Sequence, residues 1–524
     1  MTTPAHWFIT SSIPYVNARP HLGFALEIVQ ADALARFRRS QGSEVHFLTG
    51  TDDNSLSNVR AAENNGIPVG ELVERHSAAF FELRRVLDLS FDDFIKTSSD
   101  PRHAPAVHRL WKRCEASGDI YRQAYRGLYC VGCEVFYKES EVEDGRCPVH
   151  LSQLEAVEEE NYFFRLSRYQ DALEKAIATD RVRVEPLERR NEVLGLLRSG
   201  LEDISISRSS HRARGWGIPV PGDDSQIIYV WFDALANYIS ALGYAADGEA
   251  FERFWLSSDV RAHVIGKDIV RQHALYWPAF LLSSGLPLPT VIYVHGFLSI
   301  SGRKISKSLG SGVDPVELAR TYGSDAIRYY LLAKVPSLKD SDFSLETFDR
   351  VYRSDLADQL GNLVSRAVAL AHKAGGIASS DRAFPESASS LVEGAVNLPQ
   401  DIESFVDAFD FSGALGAIWG LVREANRFVV EAKPWERPPQ SEERSAAVYL
   451  LLETLRWVAI HLEPFLPGTA AEILGRLGLI SSETAGGFGQ GAFQVRGGAS
   501  SLFPKSSNTE PPPHIAGVNA TKRV

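Results

Sequence analysis

Three groups of residues in this chain have types and spacings that could do chemistry. The first is the word HLGF, His21 to Phe24, which follows the apolar run WFITSSI (residues 7 to 13) and opens a helical pattern. A histidine and a glycine at a junction of strand and helix suit an anion, because the first N–H groups of a helix lack partners and glycine permits close approach. Taken alone, the same stretch also reads as an ordinary amphipathic helix, with Leu26, Val29, Ala33 and Phe37 on one face and Glu27, Gln30, Arg36 and Arg38 on the other. The second group is ISGRKISKSLG, residues 300 to 310, where Lys304 and Lys307 stand on a glycine- and serine-rich loop. Two mobile ammonium groups with hydroxyl donors nearby can close over a polyphosphate. The third is Cys130, Cys133, Cys147 and His150 within YCVGCEVFYKESEVEDGRCPVH. Thiolates and an imidazole at that spacing predict a closed tetrahedral shell around one structural Zn2+, whereas Cys114 lies outside the pattern and reads as a packed core thiol.

These groups need a scaffold, and the hydrophobic pattern predicts one. Apolar runs at 7 to 13, 44 to 52, 262 to 268 and 290 to 298 alternate with helical patterns, which predicts a parallel sheet of Rossmann-like α/β type. The predicted organisation is a first catalytic half over residues 1–115, a connective insertion with the zinc knuckle over 116–225, and a second catalytic half over 226–345 that ends with the KISKS loop. An all-α helical bundle follows over 346–478. The remaining stretch, 479–524, is polar and proline-rich, and is expected to be partly disordered.

Composition narrows the class. The 524 residues are 44% hydrophobic and 23% charged with a formal net charge of −11, which argues against a general nucleic-acid coat protein and confines any RNA contact to a local patch. No apolar run of membrane-spanning length and no signal peptide is read from the sequence, so a cytoplasmic protein without membrane contact is expected.

The pairing of HLGF with KISKS in one split parallel fold resembles the paired signatures of the class I aminoacyl-tRNA synthetases, and most closely those specific for methionine. The likeness runs in order through ITSSIPYVNARPHLGF, FLTGTDD, the zinc knuckle, RGWGIPVP, YVWFDALANYI, VIGKDIVRQHALYWPAFL, KISKSLG, LADQLGNLVSR and AKPWE. This resemblance implies an enzyme that activates L-methionine with Mg2+ and ATP and passes the methionyl group to the 3′ end of tRNA(Met). It implies that His21, Lys304 and Lys307 are catalytic and, together with Gly23, Gly266 and Asp268, bind ATP. Methionine would be held by Ile13, Tyr15, Asp52, Trp231, Ala234, Tyr238, Ile269 and His273, with Asp52 facing its ammonium group. Asn362, Arg366 and Trp435 would read the CAU anticodon. A monomer is expected, since no dimerising domain is read after the helical one.

The chain departs from the family pattern at three places. Phe24 stands where the first signature has its second histidine, so a donor to phosphate is missing and slow adenylate formation is expected. Gln272 stands where an aromatic residue usually borders the amino-acid pocket, and a buried amide needs a partner. It implies either a more polar substrate or a pocket reshaped to reject an analogue or inhibitor. Ile305 is a tolerated hydrophobic swap in KISKS. A divergent second-copy form, or a paralogue that only binds tRNA, is the alternative that Phe24 raises.

Overall fold

The structure is a computed structural model that describes residues 5–131, 135–137, 142, 144–148, 151–300, 303–304, 313–336, 339–378, 384–438, 441–480, 486–496 and 501–504. The chain forms two compact units: residues 1–20, 38–84 and 89–295 make the first, and residues 21–37, 85–88 and 296–524 the second.

The first unit is built on a six-stranded sheet. Its strands are β1 (His6–Ser11), β2 (Glu44–Thr51), β3 (Asp93–Lys96), β4 (Arg183–Glu185), β5 (Val260–Gly266) and β6 (Val291–His295), in the order β3-β2-β1-β5-β6-β4. Every pairing is parallel. A parallel central strand is covered on both faces, so it must be apolar throughout rather than alternating, and VIYVH in β6 is buried at all five positions. The four strands expected from the apolar runs are present with ends shifted by at most three residues. The edge strand β4 comes from within the segment read as an insertion, and its three residues carry too little pattern to be seen in the sequence.

Along this sheet the chain runs outward from β1 through β2 to β3, then restarts on the other side with β5 and β6. The gap beyond the carboxyl ends of β1 and β5 is therefore a topological switch point, where ligands of such folds bind. The inserted segment adds an antiparallel hairpin of Ile120–Cys130 and Glu155–Phe164 in unbroken register from Ile120 opposite Phe164 to Tyr129 opposite Glu155.

The second unit contains residues 21–37 of helix α1 (Leu22–Ser40) and a helical bundle made from α2 (Asn362–Lys373), α3 (Ser389–Asp407), α4 (Phe411–Ala432), α5 (Glu442–Leu462) and α6 (Pro467–Leu477). Two of these helices start at side-chain caps: the Asp410 carboxylate accepts from the Gly413 N–H at 2.9 Å, and Ser441 Oγ from the Arg444 N–H at 3.3 Å. Arg328 is fully buried; its Nη2 bonds Asp32 of α1 at 2.8 Å and the Pro464 carbonyl, while Nε and Nη1 donate to the carbonyls of Phe465 and Leu87. That guanidinium fixes α1 within this unit.

Helix α5 is long and apolar enough to cross a membrane by length and composition. Most of it is buried in the bundle, including an ion pair of Glu453 with Arg456 at 2.6 Å, so it is a core helix, apolar on nearly every side because it is surrounded.

Candidate active site

The switch point of the first unit gathers the loops that follow β1, β2 and β5. The loop after β1 carries Ile13 and Tyr15, and the Asp52 N–H donates to the Pro14 carbonyl at 3.0 Å, so Tyr15 and Asp52 lie side by side as an isolated parallel bridge. Ile269 and His273 follow β5 on the helical stretch that begins at Lys267. Trp231 and Ala234 stand on the short helix Val230–Leu235, and Tyr238 on the next, Asn237–Ser240.

These side chains meet. Trp231 and Tyr238 belong to one buried apolar cluster against which Ile13, Tyr15 and Ile269 pack. The Tyr15 and Trp231 ring centroids are 6.4 Å apart, and the Trp231 and His273 centroids 6.5 Å apart. His273 Nδ1 lies 2.9 Å from the Ile269 carbonyl, which can only accept, so Nδ1 carries the hydrogen and Nε2 accepts from the Tyr238 hydroxyl at 2.7 Å. All eight residues expected to hold the amino acid are therefore in this unit; Tyr15, Trp231, His273 and Tyr238 form a wall of aromatic rings, and the carboxylate-bearing Asp52 lies beside Tyr15 at one end.

Beneath that wall lies a second fixed histidine. Trp277 Nε1–H donates to His263 Nε2 at 3.2 Å, so His263 Nδ1–H donates to Thr10 Oγ1 at 2.8 Å. Its ring stacks on Tyr238 with centroids 4.2 Å apart, and complete burial pushes its pKa well below the ordinary histidine value. Beside Asp52, Asp53 points away into the protein. Ser77 Oγ donates to its Oδ1 at 3.1 Å and Ser98 Oγ to its Oδ2 at 2.8 Å, but burial dominates and raises its pKa. Gln272 is buried too, and its Oε1 meets no hydrogen-bond partner.

Gly266 closes β5, and a Cβ there would lie 2.9 Å from Asp268 Oδ1, so only glycine lets this exposed carboxylate sit as it does. In the second unit, the His21 ring folds over the start of α1. Its Nδ1 accepts from the Gly23 N–H at 3.0 Å and the Phe24 N–H at 3.4 Å, which leaves the ring hydrogen on Nε2. A Cβ at Gly23 would stand 2.9 Å from His21 Cε1 and 3.0 Å from Nδ1. The glycine of HLGF is thus demanded by the histidine two places before it. Phe24 is only 7% exposed and serves the core. Lys304 lies on the two-residue strand Arg303–Lys304, opposite Ser299, whereas Lys307 and Ile305 lie outside the described residues.

Among the proposed metal ligands, Cys130 and Cys147 are buried in one small cluster with Leu154; Cys133 and His150 lie outside the described residues. Cys114 is a core thiol, as expected, 3.7 Å from the Phe280 carbonyl and pushed by burial up to about 12. Asn362 and Arg366 are exposed on one face of α2, and Trp435, in the turn after α4, is 50% exposed. Sequence reasoning missed a further polar group at the aromatic wall, formed by Asn54, His103 and Asp233. Its one visible signal was a carboxylate inside the apolar run VWFDAL.

Comparison with known proteins agrees with this geometry. A family model described as tRNA synthetases class I (M) matches residues 7–156 and 150–368. A methionine--tRNA ligase of Brucella suis biovar 1 is 42% identical over 474 residues, which cover 89% of this chain and 91% of that protein. One from Caldanaerobacter subterraneus subsp. tengcongensis is 41% identical over 483 residues, covering 91% of this chain and 75% of its own length. The solved structure of the Mycobacterium tuberculosis methionyl-tRNA synthetase in complex with methionyl-adenylate superposes with a TM-score of 0.90 at 37% identity, covering 96% of this chain and 100% of that one.

Proposed function

The chain belongs to the class I tRNA synthetases of the methionine type, and from that premise we propose that it activates L-methionine with ATP and transfers the methionyl group to the 3′ end of tRNA(Met). The observation that carries this reading is the aromatic wall with Asp52 at one end, set at the switch point of a parallel sheet. The ligase reading is the one the relatives support, rather than that of a paralogue that only binds tRNA.

In the first step a methionine carboxylate oxygen attacks the α-phosphorus of ATP; the bond to the bridging oxygen breaks and pyrophosphate leaves with the electron pair. In the second a terminal ribose hydroxyl of the tRNA attacks the acyl carbon, loses its proton, and AMP leaves. Neither step needs a covalent bond to the protein, so catalysis rests on positioning and on charge stabilisation. In our reading Asp52 holds the ammonium group, since a cation in a buried site needs a carboxylate. Trp231, Tyr238 and His273, with Ile13, Tyr15, Ala234 and Ile269, enclose the thioether, whose polarisable sulfur favours aromatic contact.

His21 donates from Nε2 to a phosphate oxygen, and Gly23 leaves space for adenine. Lys304 and Lys307 neutralise the β- and γ-phosphates, and Gly266 and Asp268 hold the ribose. Bound with ATP, Mg2+ would supply charge screening of the phosphates beside that of Lys304 and Lys307. The burial of Cys130 beside Cys147 fits soft thiolate ligands for one Zn2+, which these two would hold with Cys133 and His150. Asn362 and Arg366 bond the edges of the CAU bases, and the exposed Trp435 ring stacks on one. We read the protein as a cytoplasmic monomer.

The test is ATP–pyrophosphate exchange by purified protein against all twenty amino acids, homocysteine and norleucine. Exchange with methionine alone is expected. Exchange with a different amino acid would make Gln272 a specificity residue and overturn the substrate, and none at all would overturn the enzymatic reading.

A further inference from the structure

Asp233 is 1% exposed in the middle of the apolar helix Val230–Leu235, where an ionised carboxylate is costly unless its oxygens are bonded. Both are bonded, and to different elements. Oδ1 accepts from His103 Nε2–H at 2.5 Å, and Oδ2 from Asn54 Nδ2–H at 2.8 Å. His103 opens the helix His103–Ala116, is wholly buried, and meets Ser240 Oγ with its Nδ1 at 2.8 Å. Asn54 lies on the loop after β2, where the Asn58 amide donates to the carbonyls of Asp52 and Asp53 at 2.9 Å each and Trp216 Nε1 donates to the Asp53 carbonyl at 2.8 Å.

The placement of this group matters. Asn54 is two residues from Asp52, Asp233 is two residues from Trp231, and Asp233 adjoins Ala234. The carboxylate therefore ties the loop that carries Asp52 to the helix that carries the aromatic wall, and His103 holds the junction from a third side. Apolar side chains of similar volume would hold such a core at least as firmly. What a bonded carboxylate adds is a single geometry.

We infer that Asn54, Asp233 and His103 are positioning residues that fix the separation of Asp52 from Trp231, so that one methionine engages both ends of its pocket at once. The inference rests on the reading of Asp52 and Trp231 as methionine contacts. Asp233→Asn keeps the shape: the new amide oxygen accepts from Asn54, and His103, with its hydrogen moved to Nδ1 facing Ser240 Oγ, accepts the new N–H on Nε2, so both struts survive. Asn54→Ala removes one strut and Asp233→Ala removes both.

The experiment is pyrophosphate exchange by the full chain, with KM measured separately for methionine and ATP, beside thermal unfolding. Losing a buried hydrogen bond to a charged group should raise KM for methionine about tenfold in Asn54→Ala, and losing both should raise it further in Asp233→Ala. KM for ATP should stay within about twofold, and Asp233→Asn should stay near wild type. Should Asp233→Ala fail to fold, Asn54→Ala carries the test. An unchanged KM for methionine in folded Asn54→Ala, or equal rises for methionine and ATP, overturns the inference while wild-type exchange still supports the function. Wild-type protein that performs no methionine-dependent exchange overturns both.

Discussion

Gly23→Ala separates folding from catalysis. The added Cβ would lie 2.9 Å from His21 Cε1 and 3.0 Å from Nδ1. Carbon atoms pack at about 3.5 Å or more, so the imidazole must swing aside by roughly half an ångström or more. A ring at the end of a side chain can do so cheaply, but it gives up the hydrogen bonds it accepts from the Gly23 N–H at 3.0 Å and the Phe24 N–H at 3.4 Å. Losing such a cap costs about 1 kcal/mol, and replacing a helical glycine by alanine returns up to about 1 kcal/mol. The two nearly cancel, so the unfolding temperature should move by only a few degrees. Catalysis has no such compensation. If His21 Nε2–H donates to the reacting phosphate, misplacing it should cost about 3 kcal/mol, a hundredfold or more in exchange rate. Initial rates at saturating methionine and ATP, measured beside thermal melts, test this. The double variant with His21→Ala should be no slower than His21→Ala alone. A Gly23→Ala enzyme within threefold of wild type would refute the reasoning, because the placement of the His21 ring would then not matter to catalysis.

Phe24→His restores the missing donor, and pyrophosphate exchange should rise by up to about a hundredfold; because Phe24 is buried, the change should also cost about 1 to 3 kcal/mol of stability. No gain in rate would count against the idea that Phe24 limits adenylate formation. Trp435→Ala should raise KM for tRNA about tenfold, the value of one stacked base, and leave tRNA-independent exchange unchanged; equal loss in both assays would place Trp435 outside anticodon reading. Burial lowers the pKa of His461 in the second unit from its ordinary 6.5 to about 4. The folded chain therefore holds fewer protons than the unfolded one between those values, so stability is full above about pH 6.5 and falls as pH drops toward 4, by about 3 kcal/mol at most. His461→Phe should flatten that slope in urea unfolding at pH 7 and pH 4.5, and an unchanged slope would assign it to other groups.

The parallel sheet was legible wherever burial on both faces forces continuous apolar runs, as in VIYVH, and illegible where a strand is as short as Arg183–Glu185. The chemistry was legible by type and less so by geometry. HLGF named a histidine and a glycine, but only the structure shows that the glycine exists to let the imidazole cap its own helix. The words with the strongest resemblance to a family pointed to groups that we propose touch substrate. The groups that place those residues carry no word at all, since Asn54, His103 and Asp233 are scattered through the sequence and each alone is an ordinary polar residue.

The stretch Asp52-Asp53-Asn54 makes that difference concrete. Read as letters, it is three similar polar residues after a buried strand. The chain is still extended where it leaves β2, so successive side chains point to opposite sides. Asp52 and Asn54 then share one side, Asp52 beside Tyr15 and Asn54 on the Asp233 carboxylate, while Asp53 turns the other way to Ser77 and Ser98. A one-residue slip would exchange these places, sending Asp52 toward the core and the core anchor Asp53 to the side of Tyr15. The strut from Asn54 to Asp233 resists that slip directly, because an aspartate shifted into its place would set two carboxylates against each other. The register of this loop is thus specified by charge, and the same contact that specifies it holds the aromatic wall in place.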